Sequence, residues 1–146
     1  MASTENKMRA AALALLLGLV ACAPAAPEQR LRAQFGQMQA AVEAGQASDF
    51  MEGVSLDFTG ESGMDRAALH NLLRARMLAA PHLGVTTGPL EVLVQGDNAT
   101  VAFDVVLTAG SGRLLPDRAR AYRVTTAWRT EDGEWRVHHA RWNGAP

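Results

Sequence analysis

Apolar residues recur at helical spacing along the first half of this chain and at strand spacing along the second. Leu31, Phe35, Met38 and Val42 stand four, three and four residues apart, so the pattern predicts a helix over Glu28–Ala44 with these side chains on one face. Gly45 is its expected stop. Phe50-Met51 is expected to begin a short turn or helix. Val54–Thr59 alternates apolar and polar residues as a half-buried strand does, and Gly60–Gly63 follows as a loop. Asp65 is a suitable N-cap for a second helix with Leu69, Leu72, Leu73 and Met77 on its apolar side, and Pro81 ends it. The period then changes to two. Strands are expected at Leu90–Gln95, Thr100–Thr108, Tyr122–Thr130 and Glu134–Trp142, with turns at Gly96-Asp97-Asn98 and Glu131-Asp132-Gly133 and a loop over Ala109–Ala119. Helices first and an antiparallel meander last predict an α+β domain. No βα alternation with Gly-rich phosphate loops is present, which excludes a doubly wound nucleotide-binding sheet.

Before the first helix, Lys7 and Arg9 precede an unbroken run of Ala, Leu, Gly and Val from Ala10 to Val20. The run has the length of a signal-peptide core and is too short to span a bilayer. It ends in Leu19-Val20-Ala21-Cys22, which resembles the lipobox of bacterial lipoproteins. The resemblance implies that residues 1–21 are removed and Cys22 is lipidated. Residues 22–27 then form an Ala/Pro tether, and 28–146 form a single domain. It also implies a protein held to the membrane through Cys22 and facing the periplasm. Ala23, in place of Asp after the cysteine, points to the outer membrane.

Composition narrows the chemistry. Cys22 is the only cysteine, which excludes an intrachain disulfide and a Cys-based zinc site. From Cys22 onward there are 12 arginines, no lysine and 14 acidic residues, a formal charge of −2 with His neutral. That balance argues against an electrostatic nucleic-acid partner. His70, His82, His138 and His139 form no helical His-x-x-x-His or Glu-x-x-His pair, so neither a metal nor another cofactor is expected.

Thr126-Ala127-Trp128-Arg129 followed by Asp132-Gly133-Glu134-Trp135-Arg136-Val137-His138-His139 resembles the closing strands of the nuclear transport factor 2-like superfamily, which includes SnoaL-like cyclases and ketosteroid isomerases. Gly63-Met64-Asp65 and Asn143-Gly144-Ala145-Pro146 fit the same pattern. The resemblance implies a cone in which N-terminal helices close the concave side of a curved antiparallel sheet, with a pocket inside and a homodimer through the outer sheet face. By placement on a related association domain it puts Tyr122, Val124, Thr126 and Trp128 inward on one strand, Asp104 and Val106 inward on the long strand, and His138 and Trp142 inward on the last. Phe35, Phe58, Met77, Asp104, Val106, Tyr122, Thr126, Trp128 and Trp142 form the expected wall of a pocket for a small apolar or amphipathic molecule.

Asp104 admits two readings, because a carboxylate interrupting an apolar strand must be paired or functional. In the enzymatic one it is a general base with Tyr122 or His138 assisting, similar to ketosteroid isomerases. In the other it is ion-paired to Arg123 or Arg141. Asp57 is expected to face solvent, His70 to lie at the surface or boundary, and one of His138 and His139 to reach the pocket. The leading expectation is a non-catalytic binding or homodimeric interaction module.

Overall fold

The computed structural model describes residues 23–80, 82–110 and 118–144. The signal-peptide and lipobox readings lie outside the described residues. The first helical pattern becomes α1, Pro27–Glu43. Pro27 occupies its first turn, where a missing N–H costs nothing, and Gly45 takes a positive φ of 70° just beyond its end. A short helix, α2 (Ala47–Glu52), leads into strand β1 (Val54–Thr59). After one 3-10 turn (Glu61–Gly63) comes α3 (Arg66–Ala79), capped by Asp65, whose carboxylate accepts the Ala68 N–H at 2.8 Å. The remaining strands are β2 (His82–Thr87), β3 (Glu91–Gln95), β4 (Asn98–Gly110), β5 (Arg118–Glu131) and β6 (Glu134–Gly144). The β5–β6 turn is Asp132-Gly133, with φ of 52° and 81°, the doubly positive geometry that matches strand twist in a tight hairpin.

One mixed sheet runs β1-β6-β5-β4-β2, and β3 also pairs with β4. Every pairing is antiparallel except β1 with β6, which is parallel. β2 takes one half of the long β4 and β3 takes the other: Thr87 stands opposite Val105 and Glu91 opposite Ala102. β2 has no counterpart in the sequence reading, and β4 and β5 are longer than expected at both ends.

The core sits between α1, α2 and the concave sheet face. It comprises Leu31 and Met38, Met51, Val54 and Phe58, then Val101, Phe103, Val105, Trp128, Trp135, Val137 and Ala140.

Three inward assignments are corrected. On β4 the buried side is Val101, Phe103 and Val105, so Asp104 and Val106 point outward. The side with the larger apolar volume faces the core, as burial energetics dictate. On β6, Trp128 pairs with Val137 and Ala127 with His139, which leaves His138 as the extra residue of a bulge. The bulge reverses parity: Trp135 and Val137 are inward before it, Ala140 and Trp142 after it, and His138 is not among them. β1 also shifts register between Val54 and Thr59. Leu56, expected on the apolar side, is therefore 85% exposed while Ser55 is 1% exposed.

Candidate functional site: an apolar cavity

A cavity of about 230 Å³ lies between the helices and the concave sheet face. α1 supplies Phe35, Gln39 and Val42 to its wall because these recur on the helix face turned to the sheet. Phe58 of β1 and Leu69 of α3 close one flank, and Val85 and Thr87 of β2 close the other. β4, β5 and β6 supply the floor through Phe103 and Val105, Thr126 and Trp128, and Val137 and Trp142. Phe35 and Phe103 meet edge to face, with ring centroids 4.8 Å apart and planes at 84°.

The polar groups of Thr126, Trp128, Gln39 and Thr87 in the wall are hydrogen-bonded within the protein. Trp128 Nε1 donates to Thr126 Oγ1 at 2.8 Å, and Thr126 Oγ1 donates to the Val101 carbonyl at 3.1 Å. Gln39 Nε2 donates to the Val85 carbonyl and to Glu43 Oε1, both at 3.3 Å, and Thr87 Oγ1 donates to Gln39 Oε1 at 3.2 Å. Among the described residues, no acid, base or nucleophile with a free electron pair for chemistry lines the cavity.

Of the expected wall, Phe35, Phe58, Thr126, Trp128 and Trp142 are brought together, and Met77, Asp104, Val106 and Tyr122 are not. Met77 is half-buried on α3, where Leu69 is the residue that reaches the cavity. Tyr122 packs half-buried against the edge of the core, opposite Val105. Asp104 lies on the outer face, where its side chain is 68% exposed and pairs with Arg123 at 3.3 Å; Arg123 also pairs with Glu91 at 2.9 Å. The ion-paired reading of Asp104 therefore holds and its reading as a pocket base does not.

Neither strand histidine lines the cavity. His139 Nδ1 hydrogen-bonds Thr59 Oγ1 at 2.9 Å. His138 lies beside a charged cluster on the outer face, and its pKa is lowered by desolvation first and by the Arg129 charge second. In that cluster Arg129 pairs with Asp57 at 2.5 Å and with Glu131 at 2.7 Å. The hydroxyl of Ser55 lies between two carboxylates that share its one hydrogen, Asp57 Oδ1 at 2.7 Å and Glu131 Oε1 at 2.5 Å, while accepting from Arg129 at 2.9 Å. Hydrogen bonds from Ser55 and then Arg129 hold Asp57 below the usual carboxylate range, and the Ser55 bond is likewise the largest cause for Glu131. These contacts satisfy the charges, and none of Ser55, Asp57, Arg129 and Glu131 lines the cavity. Asp57 faces solvent as expected. His70 is half-buried, and its Nε2 is buried without a partner.

Sequence reasoning missed Gln39, Val85, Thr87, Phe103, Val105 and Val137. Side-chain volume on the two sides of β4 was a usable signal for Phe103 and Val105. Val85 and Thr87 carried none without the pairing of β2 to β4.

The sequence profile of the SnoaL-like domain matches residues 30–141. No curated protein matches the chain. Among solved structures, it is similar to a nuclear transport factor 2-like protein of unknown function from Pseudomonas putida (18% identity, 82% of this chain and 86% of that one, TM-score 0.70). It is similar to a calcium/calmodulin-dependent protein kinase II association-domain candidate from Xanthomonas campestris (18% identity, 86% and 94%, TM-score 0.68). It is also similar to a scytalone dehydratase candidate from Novosphingobium aromaticivorans (11% identity, 82% and 84%, TM-score 0.72). At these identities the likeness is one of fold, and the fold is nuclear transport factor 2-like, with helices packed against a curved mixed sheet.

Proposed function

The chain belongs to the SnoaL-like domain family, and from that premise we propose that it is a non-catalytic module that binds a small apolar molecule in the cavity between its helices and sheet. The observation that carries this reading is the cavity itself. About 230 Å³ is lined by Phe35, Phe58, Phe103, Trp128, Trp142 and their neighbours, with no ionisable side chain among the described wall residues. A hole of about 150 Å³ lined by such residues stays dry and takes up benzene, so this one accommodates a single ring or a short branched chain.

The resemblance to a dehydratase candidate supports a cavity of this kind without supplying a catalytic group to this chain. A base inside the wall would be needed, and Asp104 is outside it. The proposal extends to location and assembly. The lipobox supports a periplasm-facing protein held through lipidated Cys22, in the outer membrane by the Ala23 signal. The small residues Ala102 and Ala127 on the outer sheet face leave room for a second copy there.

Native mass spectrometry of the chain from Ala23, purified from its own cells, tests the binding reading. A bound species lost on mild activation is expected. A protein that arrives empty and takes up no added toluene overturns the reading.

A further inference from the structure

The polar groups of the cavity wall are divided between its two ends. At the buried end Thr126 Oγ1 gives its hydrogen to the Val101 carbonyl and receives the Trp128 N–H. At the other end Gln39, Thr87 and Trp142 are half-buried, and Glu43 beside Gln39 is exposed. Gln39 has two neighbours that only accept, the Glu43 carboxylate and the Val85 carbonyl, so its NH₂ group faces them. Its Oε1 therefore turns to Thr87 and accepts that hydroxyl's hydrogen at 3.2 Å. Among the described residues, nothing else donates to Gln39 Oε1 or to Thr87 Oγ1, so both keep lone pairs free to accept. A donor borders the same end. Trp142 stands opposite Val124 and Val124 opposite Phe103, the inward residue of β4 next to Val105, which is Thr87's own partner. Trp128 and Trp135 spend their indole N–H on Thr126 and on the Pro27 carbonyl, while that of Trp142 has no partner among the described residues.

From this division we infer that the ligand is a small amphipathic alcohol or phenol, with its apolar body in the cavity and one uncharged hydroxyl at the half-buried end. The inference rests on the binding reading proposed above and names its ligand class. A hydroxyl donates and accepts at once, so it uses a free lone pair of Thr87 or Gln39 and the Trp142 N–H alike. A carbonyl or ether only accepts and leaves those lone pairs unmet. A carboxylate does the same, and the Glu43 charge adds repulsion. An ammonium only donates and leaves the Trp142 N–H unmet. The partial exposure of this end lowers what the hydroxyl loses in leaving water. The body of the ligand packs on Phe35 and Phe103, whose edge-to-face contact continues onto a further ring.

The test is a titration of the full chain with toluene, benzyl alcohol, benzylammonium and benzoate at neutral pH, read by tryptophan fluorescence, since Trp128 and Trp142 line the wall. Benzyl alcohol is expected to bind within about fivefold of toluene and more tightly than either ion, whereas a hydroxyl without partners would fall about tenfold or more below toluene. The double variant Gln39→Leu/Thr87→Val removes both side-chain acceptors, and the Val85 carbonyl that it releases lies on the edge strand β2, in reach of water. It is expected to weaken benzyl alcohol about fivefold relative to toluene, and Thr87→Ser to leave that ratio within about twofold. If the double variant does not fold, judged by its thermal transition, Trp142→Phe takes its place: it keeps a ring in the wall and is expected to weaken benzyl alcohol about threefold relative to toluene. Benzyl alcohol more than about fivefold weaker than toluene, or weaker than either ion, overturns the hydroxyl inference and leaves the binding reading standing. A folded variant with an unchanged ratio of benzyl alcohol to toluene overturns the role of this end of the cavity. No response to any of the four ligands overturns the binding reading itself.

Discussion

Trp128 and Thr126 sit two residues apart on the same inward face of β5, and the indole N–H of one donates to the hydroxyl of the other at 2.8 Å. Trp128 is only 2% exposed, so this bond is what allows a polar N–H to remain in the cavity floor. Thr126→Val keeps the shape and removes the acceptor of the buried indole N–H. It is expected to lower stability by about 1–3 kcal/mol, with Thr126→Ser recovering most of the loss. Urea denaturation followed by tryptophan fluorescence measures both.

Asp104→Asn separates the outer face from the cavity. The exposed pair with Arg123 is screened by water, and Arg123 keeps its bond to Glu91. The substitution is expected to move the melting temperature by no more than about 3 °C and to leave toluene affinity within about twofold. A loss of binding by orders of magnitude would return Asp104 to the site.

Among the described α-helices, α3 alone has no buried residue, and Leu78 near its end is 81% exposed. Its start is held: Arg66 Nη2 donates to the Met51 carbonyl at 2.9 Å, and Asp65 caps the first turn. Its His70 Nε2 is buried with no partner among the described residues, which adds a cost to packing the helix. Amides of residues 72–79 are expected to exchange hydrogen faster than those of 31–41, and to slow when toluene occupies the space under Leu69. Arg66→Ala accelerates the exchange further. Equal protection of the two helices would contradict this.

The outer cluster sets a pH dependence with a definite sign. His138 has a pKa below its ordinary 6.5, so on acidification the unfolded chain takes up that proton first, and stability falls as the pH drops from about 6.5. Asp57 and Glu131 also sit below their ordinary values of 3.8 and 4.5, so their contribution is present above those values and is lost as the pH falls through the lower, folded ones. Denaturation midpoints from pH 8 to pH 3 are expected to fall in two stages, and His138→Gln removes the first. A flat profile between pH 7 and pH 5 would show that His138 does not contribute.

Cys22→Ala tests the proposed anchor. The wild-type chain is expected in the membrane fraction of its own cells and the variant in the soluble periplasmic fraction. Membrane retention of the variant would place the anchoring elsewhere.

The elements that local chemistry specifies were readable from the chain: α1 from its four-three-four spacing, the Asp65 cap, the Asp132-Gly133 hairpin and the limits of β1. What could not be read were long-range choices. β2 has Gly84 in mid-strand, and its sense comes only from packing against β4. A Cβ there would meet the Thr108 hydroxyl, so a larger residue fits only if a side chain distant in sequence shifts. The facing of β4 was ambiguous because Ala102 and Val106 make its outer side partly apolar, and placement by motif chose the wrong side. On β6 a single inserted residue, His138, exchanged which later side chains look inward. Trp142 was correctly placed inward, while the adjacent register error moved His138 out. Parity along a strand is read one residue at a time, but a bulge is a property of two strands together.

One feature of α1 bears on how the domain stands. Trp135 Nε1 donates to the Pro27 carbonyl at 3.1 Å, and Arg30 donates to the Gly133 carbonyl at 3.2 Å. The chain therefore enters the fold at the tightly packed tip, beside the β5–β6 turn, where Trp135 and Leu31 are buried. Val42, Val85 and Trp142, only half-buried, lie toward the opposite ends of α1, β2 and β6. Under the anchoring through Cys22 proposed above, an N-terminal tether would hold the domain at this tip, and the half-buried end of the cavity would face away from the attachment surface. Lengthening residues 22–27 would then raise the cavity further from that surface.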